Sequence, residues 1–201
     1  MGSVEKVHNT RSGKSAKIDL RRRVLEHVGD AHVLDVFCGC SGAMYQGAWK
    51  EASGYTGIDR EWSPEDERRR FVGDAYRIVQ AIDLRPFNVV DIDAFGSPWG
   101  MAQLLLRRRW SRGELGALVV TDGSLGRLQY GIVPRSMQPL VGVARCAPSD
   151  GGGRLVQDRA FWSWVQRAGV EVLHRWQAET RRSGASGLVM VYMAAVFRGQ
   201  G

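Results

Sequence analysis

Four aspartates lie at or near the ends of short apolar segments, in an order that could build one ligand site. They are, in chain order, Asp35, Asp59, Asp74 and Asp93. In an open α/β sheet, ligands bind outside the carboxyl ends of the strands. If the apolar segments are parallel strands, these carboxyl groups lie along one edge of the sheet and line one cleft.

The surroundings of the first three aspartates predict a site for a ligand with an adenosine end. A glycine turn follows Asp35, and glycines allow the backbone to approach a ligand closely. Asp59 comes about twenty residues later, where a carboxylate accepts the hydrogen bonds of a ribose diol. Asp74 stands between a glycine and an alanine, which suits an exocyclic adenine amine. The candidate cofactor-binding residues are Asp35, Phe37, Gly39, Gly42, Asp59, Asp74 and Ala75.

Other nucleotide and metal sites fit the sequence poorly. There is no Gly-Lys-Ser/Thr phosphate loop, and the glycine turn lacks the Gly-x-Gly-x-x-Gly spacing of a dinucleotide site. Three cysteines (Cys38, Cys40 and Cys146) and four scattered histidines predict neither a metal site nor a disulfide framework. No segment approaches the roughly 20 apolar residues that cross a bilayer, and no signal peptide is evident. We therefore expect a cytoplasmic protein with reduced thiols, no metal and no membrane contact.

The elements that must position these residues alternate along the chain. Strands are predicted at 33–37, 55–58, 71–72, 87–92 and 117–121, and helices at 18–28, 43–51, 75–82, 100–109 and 157–168. This alternation predicts a parallel sheet covered by helices on both faces. Two further strands, at 170–180 and 188–198, are separated by too few residues for a helix and should pair antiparallel. The expected fold is a Rossmann-like, seven-stranded α/β sheet, mostly parallel, with the last strand reversed.

The domain organisation follows from length and charge. The chain has 201 residues and a formal charge of +7. Residues 1–17 are predicted to be a flexible basic arm, and residues 18–201 a single domain. Through residue 23 there are seven basic and two acidic residues, so most of the excess charge lies there. Residues 122–156 are rich in glycine and proline and are expected to form a long loop, a candidate substrate lid.

The first motif resembles that of the class I S-adenosylmethionine-dependent methyltransferases. Residues 33–42 read VLDVFCGCSG, and Asp59 and Asp74 stand where those enzymes carry their ribose-binding and adenine-binding acids. The resemblance covers roughly 33–198 and implies S-adenosylmethionine as the cofactor. It departs at Ser41, a position often held by glycine.

The fourth strand leads into a second motif, DIDAFGSP at 91–98, which resembles the Asp-Pro-Phe-Gly-Ser-Pro motif of the tRNA guanine-N2 dimethyltransferases. The resemblance implies an amine as methyl acceptor: Asp93 accepts its N–H, the Ala94 carbonyl accepts a second hydrogen bond, and Phe95 stacks on the base. Ala94 replaces a proline of the motif. Asp91 is expected to point to the opposite face and to be structural.

These residues favour an N-methyltransferase acting on an exocyclic base amine, guanine-N2-like, of RNA or DNA. RNA is the preferred partner, bound through the basic arm. Two alternatives stay open: a small-molecule N- or O-methyltransferase, and a non-catalytic nucleic-acid-binding module with the same fold. The oligomeric state is not predicted. The candidate substrate-binding residues are Gly96, Ser97, Pro98, Trp99, Arg127, Tyr130, Arg21 and Arg22.

Overall fold

The computed structural model describes residues 5–6, 13–61, 67–94, 96–148, 150–181 and 189–201. The fold is built on one mixed sheet with the strand order β1-β7-β8-β6-β5-β2-β3-β4. The strands are β1 (Glu5–Lys6), β2 (His32–Val36), β3 (Gly54–Asp59), β4 (Arg70–Val72), β5 (Val89–Ile92), β6 (Leu115–Asp122), β7 (Val170–Arg181) and β8 (Val189–Gly199).

All neighbouring strands are parallel except that β8 runs antiparallel to both β6 and β7. The seven-stranded mixed sheet with a reversed last strand is therefore confirmed. The two-residue β1, which pairs with β7, is an addition that the sequence did not suggest.

The helices lie between the strands. They are α1 (Gly13–Val28), α2 (Ala43–Gly47), the 3-10 helix η1 (Trp49–Glu51), α3 (Ala75–Ala81), α4 (Trp99–Leu105), α5 (Leu125–Leu128), α6 (Gln138–Val141) and α7 (Asp150–Ala168). Helix α1 begins five residues before the expected residue 18, so the last part of the predicted arm is helical. The predicted helix 43–51 is interrupted at Ala48, whose φ of −147° is not helical.

Both faces of the sheet are covered, as expected. On one face, Leu20 and Val24 of α1 pack with Trp49 against apolar residues of the central strands. On the other face, α3, α4 and α7 contribute to a larger core that includes Trp99 and Phe161. Apolar side chains on both faces explain why the central strands read as continuous hydrophobic runs.

The expected loop 122–156 is wrong in its boundaries. It contains α5 and α6, and α7 begins at Asp150 rather than at residue 157. Three consecutive glycines, 151–153, hide this helix start because glycine disfavours helices. A Cβ on Gly153 would lie 2.8 Å from Leu125 Cδ1 and 3.0 Å from Leu128 Cβ, so a small residue lets α7 pack closely on α5.

The described residues contain neither a membrane-spanning helix nor a metal-binding cluster. No helix there is long and apolar enough to span a membrane. No group of three or more histidine, cysteine, aspartate and glutamate side chains within those residues is arranged to hold a metal ion.

Candidate active site

The turn after β2 is held in an unusual backbone conformation. Phe37 has a φ of +67°, and Gly39 and Gly42 have φ values of +64° and +60°. A positive φ is uncommon for a residue other than glycine, and such conformations cluster at functional sites. The N–H groups of Phe37 and Cys38 both donate to the Ile58 carbonyl, at 2.8 and 3.1 Å. The turn is thus fixed to the end of β3.

Asp59 closes the same turn from the end of β3. Its Oδ2 accepts a 2.9 Å hydrogen bond from the Gly39 N–H, and its Oδ1 accepts one of 3.0 Å from the Glu61 N–H. A carboxylate has about four acceptor positions. Two therefore remain for a diol, and the space beside Gly39 is open because a Cβ there would meet no atom within 4 Å.

Asp74 follows β4 and caps α3. Its Oδ1 accepts a 3.1 Å hydrogen bond from the Arg77 N–H, and Oδ2 forms an ion pair with Arg60. The hydrogen bond from Arg60, followed by that from the Arg77 N–H, lowers the pKa of Asp74 below its ordinary value. Ala75 behind it is buried. Asp74 therefore remains an ionised acceptor at the carboxyl end of β4.

Arg68 is a site residue that the sequence did not reveal. Its Nη2 donates to the Gly39 carbonyl at 2.8 Å, and its guanidinium lies within 3.2 Å of the position that a Cβ on Gly42 would occupy. In the sequence Arg68 belongs to a run of three arginines after several acidic residues, which indicates only solvated ion pairs. Its place at the glycine turn depends on tertiary structure.

Asp35 lies below the turn rather than in the cleft. It is fully buried, and its Oδ2 accepts a 2.9 Å hydrogen bond from the Tyr55 hydroxyl. Burial, together with the neighbouring carboxylate of Asp91, raises the pKa of Asp35 well above its ordinary value. Direct contact between Asp35 and a bound cofactor does not fit this burial. Asp35 therefore has a structural role and supports the turn that follows β2.

Asp93 follows β5, and its carboxylate is in contact with two cations. Lys17 Nζ donates to its Oδ1 at 2.5 Å, and Arg21 Nη2 lies 3.9 Å from its Oδ2. Burial raises the pKa of Asp93, but the charges of Arg21 and Lys17 and the hydrogen bond from Lys17 outweigh that effect, so the pKa lies below its ordinary value. The side chain keeps 18% exposure, so the ionised Asp93 carboxylate is partly open to solvent at the end of β5.

Two predictions about the neighbourhood of Asp93 are wrong. Asp91 does not point to the opposite face: residues two apart in a strand share a face, and Arg21 contacts both carboxylates. Arg21 is not a surface residue for substrate. It is 1% exposed and holds Asp91 through two hydrogen bonds of 2.6 and 2.7 Å, while the Trp49 indole donates a third at 2.8 Å.

The residues after Asp93 form a tight connection to α4. Ala94 is buried, Phe95 lies outside the described residues, and Gly96 is exposed with a φ of +97°. The Gly96 carbonyl accepts a 2.8 Å hydrogen bond from the Gly123 N–H. This bond joins the ends of β5 and β6 at the cleft.

The predicted substrate residues of this connection have different environments. Ser97 Oγ is half-buried, 3.1 Å from Ser136 Oγ. Pro98 precedes α4 and is buried. Trp99 is fully buried, and its indole N–H donates to Asp122 Oδ2 at 2.8 Å. Trp99 was predicted to bind substrate, but its ring belongs to the core.

The remaining predicted substrate residues are exposed. Arg22 donates from Nε to the Gly47 carbonyl at 3.0 Å. Arg127 is exposed, and Tyr130 shows 77% of its surface. Both lie in the segment after β6, whose other exposed side chains include Ile132 and Arg145.

The two cysteines of the glycine turn are poor nucleophiles. Burial, with the nearby Asp35 carboxyl, raises the pKa of Cys38 to about 12. Cys40 is exposed, but a hydrogen bond to Glu61 raises its pKa as well. The thiolate is the reactive form of cysteine, so this site does not favour a covalent route through either thiol.

No protein-family model and no curated protein sequence matches this chain. Solved structures do match. Trm1 from Pyrococcus horikoshii, in complex with S-adenosyl-L-methionine, aligns with a TM-score of 0.57 and 15% identity over 94% of this chain and 57% of its own. This chain therefore spans little more than half the length of that protein.

Two further structures align over most of both chains. The N-methyltransferase NodS from Bradyrhizobium japonicum WM9, in complex with S-adenosyl-L-homocysteine, gives a TM-score of 0.54 at 13% identity and covers 94% of this chain and 87% of its own. An O-methyltransferase from Bacillus cereus, also with S-adenosyl-L-homocysteine, gives 0.55 at 14% identity, with 92% and 82% covered. The predicted resemblance is confirmed at the level of the fold, which is that of the S-adenosylmethionine-dependent methyltransferases.

Proposed function

We propose that this chain is an S-adenosylmethionine-dependent N-methyltransferase whose acceptor is an exocyclic base amine, guanine-N2-like, in RNA or DNA. The observation that carries the proposal is the state of Asp93. It is the partly exposed, ionised carboxylate at the end of β5, while Asp91 on the same face is fully buried and ion-paired. A carboxylate in that position is suited to accept an N–H of the acceptor.

The residues of the cleft fit the cofactor. Asp59 keeps acceptor positions for the ribose hydroxyls, and Asp74 remains ionised where an exocyclic adenine amine would bind. The turn at Gly39 leaves open space for a ligand at the backbone. The guanidinium of Arg68 beside Gly42 offers a positive charge to the carboxylate of the amino-acid end.

The chemistry assigned to the chain itself is orientation and charge stabilisation. S-adenosylmethionine, when bound, supplies an electrophilic methyl group. Asp93 accepts one N–H of the amine and the Ala94 carbonyl a second, which directs the nitrogen lone pair toward the methyl carbon. Methyl transfer would leave a positive charge on the nitrogen, and the Asp93 carboxylate would stabilise that charge. One N–H proton then passes to water, because a carboxylate of lowered pKa is a weak base.

A nucleic-acid substrate is supported by two observations. The segment after β6 presents Arg127, Tyr130 and Arg145 on its surface, a combination of cations and an aromatic ring that suits phosphates and unstacked bases. The motif at 91–98 resembles that of the tRNA guanine-N2 dimethyltransferases, and the fold is shared with Trm1 from Pyrococcus horikoshii. The basic residues of the arm before residue 13 lie outside the described residues, apart from the two-residue β1, and stay a prediction.

A small-molecule N- or O-methyltransferase is the second candidate. Its support is the segment after β6, which is folded against the core instead of open. Met137 and Leu140 are buried, and Ser136 Oγ lies 3.1 Å from the Oγ of Ser97, four residues after Asp93. A wall this close to the acceptor site suits a compact acceptor.

One experiment separates all three candidates. The protein is first titrated with S-adenosylmethionine by calorimetry, and absence of binding would leave only the non-catalytic module. It is then incubated with tritiated cofactor and, separately, bulk RNA, duplex DNA and a metabolite extract. The proposal expects label in RNA or DNA that is released as a methylated nucleoside. Label confined to the metabolite pool would establish the small-molecule alternative.

A further inference from the structure

Lys17 is held against the acceptor side chain of the proposed reaction. Its ammonium lies 2.5 Å from Asp93 Oδ1 and 5.5 Å from the centre of the Tyr192 ring. The two side chains are 20% and 18% exposed, so the ion pair is mostly buried but still within reach of a ligand. The sequence assigned Lys17 only to a flexible arm.

The backbone around Lys17 fixes this position. Helix α1 begins at Gly13, where a Cβ would lie 2.7 Å from the Tyr192 hydroxyl, so the helix start rests directly on β8. One turn further along, Arg21 donates from Nη1 to the Lys17 carbonyl at 2.9 Å and binds Asp91. Lys17 is therefore carried by an anchored turn of helix.

The Lys17–Asp93 pair offers a ligand two acceptor oxygens with a donor directly beside them. A lysine ammonium has three donor hydrogens and a carboxylate about four acceptor positions. The pair can therefore stay intact while Asp93 accepts from a substrate and Lys17 donates to it. A base that complements this ion pair has an amine, a ring N–H and a carbonyl oxygen next to one another along one edge.

Among the common bases, guanine has that order of groups. Adenine and cytosine place an unprotonated ring nitrogen next to their amine, and this lone pair would face the Asp93 carboxylate. Sites built to hydrogen-bond a substrate group reject analogues that lack it, because their buried polar atoms are left unpaired. We propose that Lys17 is a specificity-determining residue that donates a hydrogen bond to the carbonyl oxygen on the other side of the ring N–H from the target amine and thereby selects guanine.

This inference rests on the proposed function and is tested on the full chain. The RNA that the wild-type protein labels with tritiated cofactor is digested, and the labelled nucleoside is identified by chromatography. The inference expects a methylated guanosine. Label on adenosine or cytidine would overturn it while leaving the methyltransferase function standing. Absence of label in every pool, despite binding of the cofactor, would overturn the proposed function itself.

The role of Lys17 is then isolated with a single-atom change in the substrate. A transcript of the labelled RNA is made with guanosine or with 6-thioguanosine, whose sulfur is a weaker acceptor but whose ring N–H and amine are kept. We expect the wild-type protein to prefer guanosine by about 10- to 100-fold in kcat/KM, the range of a hydrogen bond to a charged group. Lys17→Met should lower kcat/KM for guanosine and remove most of this preference. Lys17→Arg, which keeps the charge and the donors, should retain it.

Lys50→Met is the matched control, because Lys50 is exposed on η1. It removes the same charge and should leave the preference unchanged. Thermal unfolding and the dissociation constant for S-adenosylmethionine confirm that each variant is folded. If Lys17→Met keeps the wild-type preference for guanosine, Lys17 is only a structural partner of Asp93 and the inference is wrong.

Discussion

Arg21→Met removes the positive charge that neutralises a buried carboxylate, and its cost can be worked from the contacts. Arg21 and Asp91 are 1% and 0% exposed and share two hydrogen bonds of 2.6 and 2.7 Å. Without Arg21, the described contacts leave Asp91 with the Trp49 indole as its donor. Breaking a buried pair by removing one partner costs about 3–5 kcal/mol. With a urea m-value of about 2 kcal/mol/M, the unfolding midpoint should fall by roughly 2 M.

The pH dependence of this loss has a definite sign. Burial raises the pKa of Asp91, and the charge of Arg21 opposes that rise. In Arg21→Met the opposing charge is gone, so the folded-state pKa of Asp91 lies further above its unfolded value. A raised carboxyl pKa costs stability as the pH rises above the unfolded value of about 3.9. The difference between the variant and the wild type should therefore be smallest near pH 4 and grow toward neutral pH.

The assay is urea unfolding followed by tryptophan fluorescence at several pH values, with two comparison variants. Arg22→Met removes the next arginine of the same helix, which is exposed and has one described hydrogen bond, to the Gly47 carbonyl, so it should cost less than about 1 kcal/mol. Arg21→Met combined with Asp91→Leu removes both charges and should be more stable than Arg21→Met alone. A loss below about 1 kcal/mol in Arg21→Met, or one that does not change with pH, would refute the reasoning.

Four further outcomes are expected. Asp93→Asn should lower kcat by roughly 10²–10³-fold in a methyl-transfer assay without changing the calorimetric dissociation constant for the cofactor, and an unchanged kcat would remove Asp93 from its role. Asp59→Asn should weaken cofactor binding by about 10- to 100-fold, since it loses charge-assisted hydrogen bonds. The acid limb of the pH–rate profile should lie below the ordinary aspartate pKa and move to higher pH in Lys17→Met, which removes a charge that lowers the pKa of Asp93. Iodoacetamide should modify Cys40 before Cys38 in the native protein, as read by peptide mass spectrometry, because only Cys40 is exposed.

The sequence predicted the parts of the fold that depend on local pattern. The alternation of apolar strands with helices, and the short gap before the last strand, were sufficient for the mixed sheet with β8 reversed. The start of α7 was missed because glycines 151–153 oppose a helix locally. Gly153 instead allows α7 to approach Leu125 closely, and this is a tertiary contact that local pattern does not reveal.

Among the site residues too, some follow from local pattern and others depend on tertiary structure. The positions of the strand ends predicted Asp35, Asp59, Asp74 and Asp93 as residues of one ligand site. The structure buries Asp35 completely, and the roles of the other three stay predictions. Arg21 was predicted, with Arg22, to bind substrate, although the sequence contained a signal for its burial. The buried apolar residues of α1 recur every four positions and are Ala16, Leu20, Val24 and Val28. Arg21 is adjacent to this apolar stripe, so it lies at the edge of the helix face that packs on the sheet. The identity of its partner, Asp91, required the register of the sheet.

The electrostatics of the site explain why α1 belongs to it. Three carboxyl groups lie together at the ends of β2 and β5, and like charges this close cannot all be ionised without compensation. The pKa of Asp35 is raised by burial and by Asp91, Asp91 is paired with Arg21, and Asp93 stays ionised beside Lys17. Both compensating cations come from α1, one helical turn apart. Helix α1 therefore supplies the charges that pair with Asp91 and Asp93. Substitutions at Lys17 and Arg21 should alter the chemistry of Asp93 in addition to the stability of the fold.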